Sequence, residues 1–146
     1  MATIRLEIIT AERQVYSDDV NIVVAPGIEG ELGILPHHAP LLTVLQPGEL
    51  RVIKGDEESF IAVSGGFLEV LGERVIVLAD TAERSDEIDV ERAQKALKKA
   101  EEQLASRQAD INLEQALAAI RRSQARLKVA HRRRQRPGPP GASSQQ

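Results

Sequence analysis

The residues of this chain that offer chemistry are few, and most sit in one stretch. Residues 27–43 carry Gly27, Gly30 and Gly33 with Glu29, Glu31 and the adjacent pair His37 and His38. The spacing GxxGxxG is neither a dinucleotide fingerprint nor a phosphate loop. No Lys-Ser/Thr follows it, and Pro36 and Pro40 prevent a helix from starting there. A zinc centre needs three or four ligands. Read as a strand-like segment, the stretch would point His37 and His38 to opposite sides, and the third histidine, His131, lies far along the chain in a basic segment. Ser64 in "VSGG" lacks the strand-to-helix setting of a nucleophile elbow; Ser-Gly-Gly reads as a tight strand-to-strand turn. The absence of cysteine removes thiolate ligands, cysteine nucleophiles and disulfides. What remains is a loop whose shape glycine and proline dictate. It is either a recognition surface on a rigid scaffold or a plain corner of that scaffold.

The other chemical resource is charge. Residues 115–146 contain no acid and eight of the 19 basic residues, leaving 11 basic residues and all 22 acids in residues 1–114, a net of −11 there. An acidic body with a basic end predicts an anionic partner for that end. Nucleic acid fits poorly, because no aromatic interleaves the run from Arg121 to Arg136 for base stacking. A small β-fold enzyme fits no better, for want of a nucleophile, a metal cluster or paired acids.

The elements that hold these residues fall into two kinds. Residues 1–84 read as all-β. Ile4, Leu6 and Ile8 alternate with Arg5 and Glu7, the period of a half-buried strand. Apolar runs follow at 20–24, 50–53, 60–63, 67–71 and 75–78, separated by Gly- and Pro-containing turns. With three aromatics in all, Tyr16, Phe60 and Phe67, the core must be aliphatic. The spacing predicts a β-sandwich or flattened barrel. From Ile88 the chain changes to Ala, Glu, Lys, Gln and Leu, with no Gly or Pro before Pro137. Ala93, Ala96, Leu97, Ala100 and Leu104 form one helical stripe; Leu113, Ala116, Leu117, Ile120 and Leu127 form another. Asp89 is placed to cap the first helix, and Asn112 with Gln115 to box the second. The expectation is an α+β chain: a sandwich over 1–84, an antiparallel helical hairpin over 85–136 and a disordered tail over 137–146. The stripes are narrow and alanine-rich, so they bury little area. Periodicity leaves open whether the hairpin detaches or is a fixed appendage. No long apolar run exists, and "MATIRLEII" has no signal-peptide character, which points to a cytosol-like compartment.

Four blocks, "GIEGELGILPHHAPLLTVLQPG" (27–48), "VSGGFLEV" (63–70), "VIVLADTAER" (75–84) and "IDVERA" (88–93), resemble in order and spacing the epsilon subunits of F-type ATP synthases. The likeness runs to about residue 130. It implies a non-catalytic rotor subunit of the central stalk, whose sandwich binds the gamma subunit and the polar loops of the c-ring. Glu29 and Glu31 would then face the c-ring, and His37 and His38 would lie near gamma. It implies a hairpin that extends into the alpha/beta catalytic head and blocks ATP hydrolysis, with Arg121, Arg122, Arg126 and Lys128 meeting acidic segments there. The resemblance also implies a regulatory ATP site. Ile88, Asp89, Arg92 and Ala93 match its I/L-D-x-x-R-A motif. Arg122 and Arg126 would take the phosphates, and Glu83 and Lys99 would contribute, although arginine often stands where Lys99 does. No other cofactor is implied and no nucleic acid. The implied location is peripheral, on the cytoplasmic face of a bacterial plasma membrane or the stromal side of a thylakoid membrane.

Overall fold

A computed structural model describes residues 2–106 and 113–135, with side chains to 132. Among them are ten strands and two long helices. The strands are β1 Ile4–Ile9, β2 Gln14–Val20, β3 Ile22–Gly27, β4 Gly30–Ile34, β5 Leu41–Leu45, β6 Gly48–Lys54, β7 Glu57–Val63, β8 Gly66–Leu71, β9 Arg74–Ala79 and β10 Ala82–Arg84. The hydrogen-bonded order is β10-β7-β6-β3-β5-β8-β9-β1-β2, with β4 pairing β3 to the side. Every pairing is antiparallel except β1 with β9. The sheet folds over itself into the expected sandwich, because its inward rows are aliphatic. Leu6, Ile8, Val23, Leu50, Ile61, Leu68 and Val77 are all buried in one cluster.

Four strands go beyond the sequence expectation: β2, β4, β5 and the three-residue β10. β2 and β4 lie where polar or Gly-rich composition argued for turns, and β5 follows Pro40 at the end of the stretch read as a shaped loop; β4 pairs with β3, and β5 with β8 and β3. β4, "GELGI", has little strand propensity of its own. It is held by a full register on β3, Val23 to Ile34 through Gly27 to Gly30. The Ser64-Gly65-Gly66 segment is a corner between strands that do not pair: β7 bonds β6 and β10, while β8 bonds β5 and β9. Gly66 is required there. Its φ is +133°, and a Cβ would collide with the Leu78 carbonyl oxygen.

A short 3-10 turn, Ser85–Glu87, leads from β10 to helix α1, Val90–Ser106. The Asp89 carboxylate accepts from the Arg92 backbone N–H at 3.1 Å, the cap read from the sequence. Helix α2 spans Leu113–Gln135. Asn112 of the expected capping box, the polar link 107–110 and the tail 137–146 lie outside the described residues. α1 packs along α2, and α2 packs on β6 and β7. The buried seam differs from the expected stripes. Ala93, Ala100, Ala116, Ser123, Ala125, Val129 and Ala130 are buried, whereas Ala96, Leu113 and Leu117 are exposed. α2 is buried along two sides, one for α1 and one for the sandwich, which a single-stripe reading does not anticipate.

Candidate functional site

The junction of α2 with the sandwich carries three ion pairs that tie the helix to the sheet. Ala62, Ile88, Val129 and Ala130 form a small buried cluster, with Phe60 and Val90 against it. Around it, Glu49 at the start of β6 accepts from Arg132 Nε at 3.2 Å and Nη2 at 3.3 Å, and Lys128 Nζ lies 3.9 Å away. The Glu49 side chain is only 10% exposed. The Arg132 guanidinium also sits 4.8 Å from the centre of the Phe60 ring, a cation–π position. The fork to Glu49 holds Arg132 more firmly cationic than a free arginine. On β10, Glu83 takes Arg126. The Nη2–Oε2 contact of 3.1 Å is the hydrogen bond; Nε approaches Oε1 at 3.0 Å, off the line of its N–H. Of the four cations expected to meet an external acid, Arg126 is thus committed inward, Lys128 flanks Glu49, and Arg121 and Arg122 are exposed.

A cavity of about 260 Å3 lies between the sandwich and both helices. Glu83, Arg122 and Arg126 line it with Ala96, Ser64 and Thr81. Three residues of the expected ATP set are therefore brought together. The motif residues are placed differently. Ile88 is buried in the junction and Ala93 in the helix seam. Asp89 caps α1, and Arg92 and Lys99 are exposed on α1. Below the cavity, Glu87 receives the Arg84 N–H at 3.1 Å and Arg13 Nη2 at 2.9 Å. Burial works to raise its carboxyl, but these two donors outweigh it and hold Glu87 below the ordinary glutamate range.

The stretch 27–43 is two separate turns. Gly27 pairs with Gly30, so Ile28 and Glu29 form the tip of the β3–β4 hairpin, and Glu31 follows opposite Pro26. His37 and His38 are in a turn rather than a strand: the His38 N–H donates to the Leu35 carbonyl at 3.2 Å. Pro36 and His37 are its central residues, and His37 takes a φ of +69° that usually favours glycine. Its Nδ1 is 3.3 Å from Glu73 in the β8–β9 turn, and His38 Nδ1 donates to the Ala39 carbonyl at 2.6 Å. Gly27 aligns with Leu45, while Leu41 aligns with Val70 near Glu73. The acidic tip and the histidine turn therefore lie at opposite ends of β5, roughly 15 Å apart.

A surface that the sequence reading missed lies on the face of β5, β8 and β9 away from the core. Val44, Phe67 and Leu78 are aligned across the three strands, and the Ile28 N–H bonds the Val44 carbonyl beside them. Leu42 is the next outward residue on β5. Phe67 is 53% exposed and Leu42 69%. A contiguous apolar row of this kind is the sort of surface on which another protein or a membrane can dock. Its signal was present in "LLTVL" and "FLEVL", where both alternating positions are largely apolar, the pattern of a strand covered on two sides.

Comparison with known proteins fits this division. Residues 3–85 match the family described as ATP synthase, Delta/Epsilon chain, beta-sandwich domain, and residues 86–131 its long alpha-helix domain. An ATP synthase epsilon chain of Dehalococcoides mccartyi is 55% identical over 138 residues, covering 94% of this chain and 99% of that one. That of Herpetosiphon aurantiacus is 55% identical over 133 residues, covering 91% and 98%. Among solved structures, a chain of the Euglena gracilis mitochondrial ATP synthase OSCP/F1/c-ring assembly superposes with a TM-score of 0.78 at 27% identity, covering 90% of this chain and 82% of that one.

Proposed function

This chain belongs to the ATP synthase delta/epsilon family, as a non-catalytic epsilon-type subunit of the F-type central stalk, and from that premise we propose how its two faces divide the work. The sandwich is the anchor. Its bare apolar row through Val44, Phe67 and Leu78 seats on the gamma subunit, and the acidic tip of Glu29 and Glu31 meets the polar loops of the c-ring. The hairpin is a brake on ATP hydrolysis. It leaves the sandwich, extends along gamma and presents Arg121, Arg122, Arg126 and Lys128 to the alpha/beta catalytic head. The observation that carries this reading is the asymmetry of the junction: a small alanine-rich contact and a few ion pairs hold the helices, while a larger apolar face stands uncovered.

The test is ATP hydrolysis by the head with gamma under three conditions: no epsilon, the full-length chain, and a chain ending at Ser85. Binding by both chains with suppression only by the full-length one is expected. Equal hydrolysis with either chain would remove the brake.

ATP is the proposed signal that keeps the hairpin down. The cavity of Glu83, Arg122 and Arg126 supports it, since paired arginines suit phosphate oxygens. At about 260 Å3 it is smaller than ordinary small-molecule pockets, so the helices must part to admit a nucleotide. Asp89, Arg92 and Lys99 would supply further contacts from α1. Isothermal titration of the free chain with millimolar ATP is expected to show heat; a flat trace overturns ATP binding and leaves the anchor and brake standing. Among the described residues no helix is long and apolar enough to cross a membrane. The chain is peripheral to the membrane complex through its partners, on the side where the head projects, which is the cytoplasmic face in a bacterium and the stromal side in a thylakoid.

A further inference from the structure

Arg126, Lys128 and Arg132 reach two carboxylates of the chain's own sandwich, one well shielded from water and one partly so. Glu49 is 10% exposed at its side chain and Glu83 28%. Each guanidinium fork satisfies one carboxylate at a time. We propose that Glu49 and Glu83 form an internal decoy: an acidic surface on β6 and β10 that competes with the acidic partner for Arg126 and Lys128, and that also ties down Arg132 one turn beyond them on α2. The inference rests on the braking role proposed for the hairpin and adds what sets its strength.

Glu49 dominates the decoy for three physical reasons. It takes a bidentate arginine and a second cation, Lys128, which lies at i−4 from Arg132 on one face of α2. It is the more buried of the two, so salt screens it less. Its arginine is also held over Phe60 by a cation–π contact, so the carboxylate meets a guanidinium already positioned for it. Position of the hairpin then depends on a difference. A partner shifts it only by what the cations gain there beyond what Glu49 and Glu83 already give.

The sequence contains no cysteine, so two introduced cysteines take a donor and an acceptor dye on the free chain without a background, before it is assembled into the complex. Glu12 in the β1–β2 turn and Gln103 on α1 are both exposed. The assembled complex carrying E12C and Q103C reports hairpin position by energy transfer, beside its rate of ATP hydrolysis. With Glu49→Gln the ratio of extended to retracted hairpins is expected to rise about tenfold, with Glu83→Gln less. Hydrolysis should fall in parallel. Glu49→Arg combined with Arg132→Glu restores both, which separates the pair from any general loosening. Unchanged energy transfer in both single variants and in the double Gln variant overturns the decoy, even where truncation at Ser85 relieves inhibition and so upholds the brake. A shift in energy transfer with no change in hydrolysis upholds the decoy and overturns the brake instead.

Discussion

The sandwich and the hairpin are stabilised by different means. In the sandwich, Leu6, Ile8, Leu50 and Leu68 are fully enclosed, and side chains from both layers fill the space between them. Among the described residues of the two helices, those that are buried are mostly alanines, with Ser123 among them and Val129 as the largest. Alanine lets helices approach closely, but it removes little apolar surface from water. Charge makes up part of that deficit at Glu49 and Glu83. The lesson is that the two parts respond to different perturbations. A filled aliphatic core answers to volume and is indifferent to salt. A seam of alanines framed by ion pairs answers to salt and gives way without unfolding its support.

The contrast is broken most severely in the core. Leu68→Ala removes a fully buried side chain and is expected to cost about 2–5 kcal/mol in the denaturant-unfolding free energy of the sandwich. A loss under about 1 kcal/mol would show that the sandwich is as loosely packed as the hairpin. Val129→Ala, in the junction, should cost about 1–2 kcal/mol and only in hairpin attachment. Faster amide exchange in α1 and α2 with no change in β8 and β9 is the expected result; a uniform change would make the two parts one cooperative unit.

Raising the salt concentration from 0.1 to 1 M shortens the screening length from about 10 to about 3 Å. Limited proteolysis of the helices should then quicken several-fold while the sandwich stays resistant. Phe67→Ser, on the bare face, should move the stability of the free chain by about 0.5 kcal/mol or less, yet weaken gamma binding at least tenfold by titration calorimetry. Equal affinity would place gamma elsewhere. The smallest effect is acid. Because Glu87 titrates lower in the folded chain than when unfolded, its contribution is present above the ordinary glutamate range and lost as pH falls below that range through the lowered folded value. The strap from Arg13 to the 3-10 turn should loosen only at pH below the ordinary glutamate range, seen as earlier cleavage near Ser85. Glu87→Gln should remove that dependence.

Much of the fold was legible because local pattern and global burial agree. The alternation of Ile4, Leu6 and Ile8 places all three in the core, and Asp89 caps the helix it precedes. β4 was hidden because its glycines argue for a loop, and β5 because Pro40 and Pro47 flank it; only pairing with β3 and β8 makes them strands. The apolar row was hidden for the opposite reason. A strand that is apolar on both sides looks more buried than it is until the second side is seen to be empty.

By itself the sequence determined the two-part architecture, the aliphatic core, the excess of cations on α2 and the blocks that carry the family. These follow from periodicity, composition and local capping, which act within a few residues. Tertiary structure decided which charges meet. Glu49 carries no local signal, and it meets Arg132, 83 positions away, only because β6 passes beneath the end of α2. Glu83 meets Arg126 in the same way. Contacts between distant residues depend on how whole elements stack to enclose the core, and that is settled by the packing of the chain as a unit.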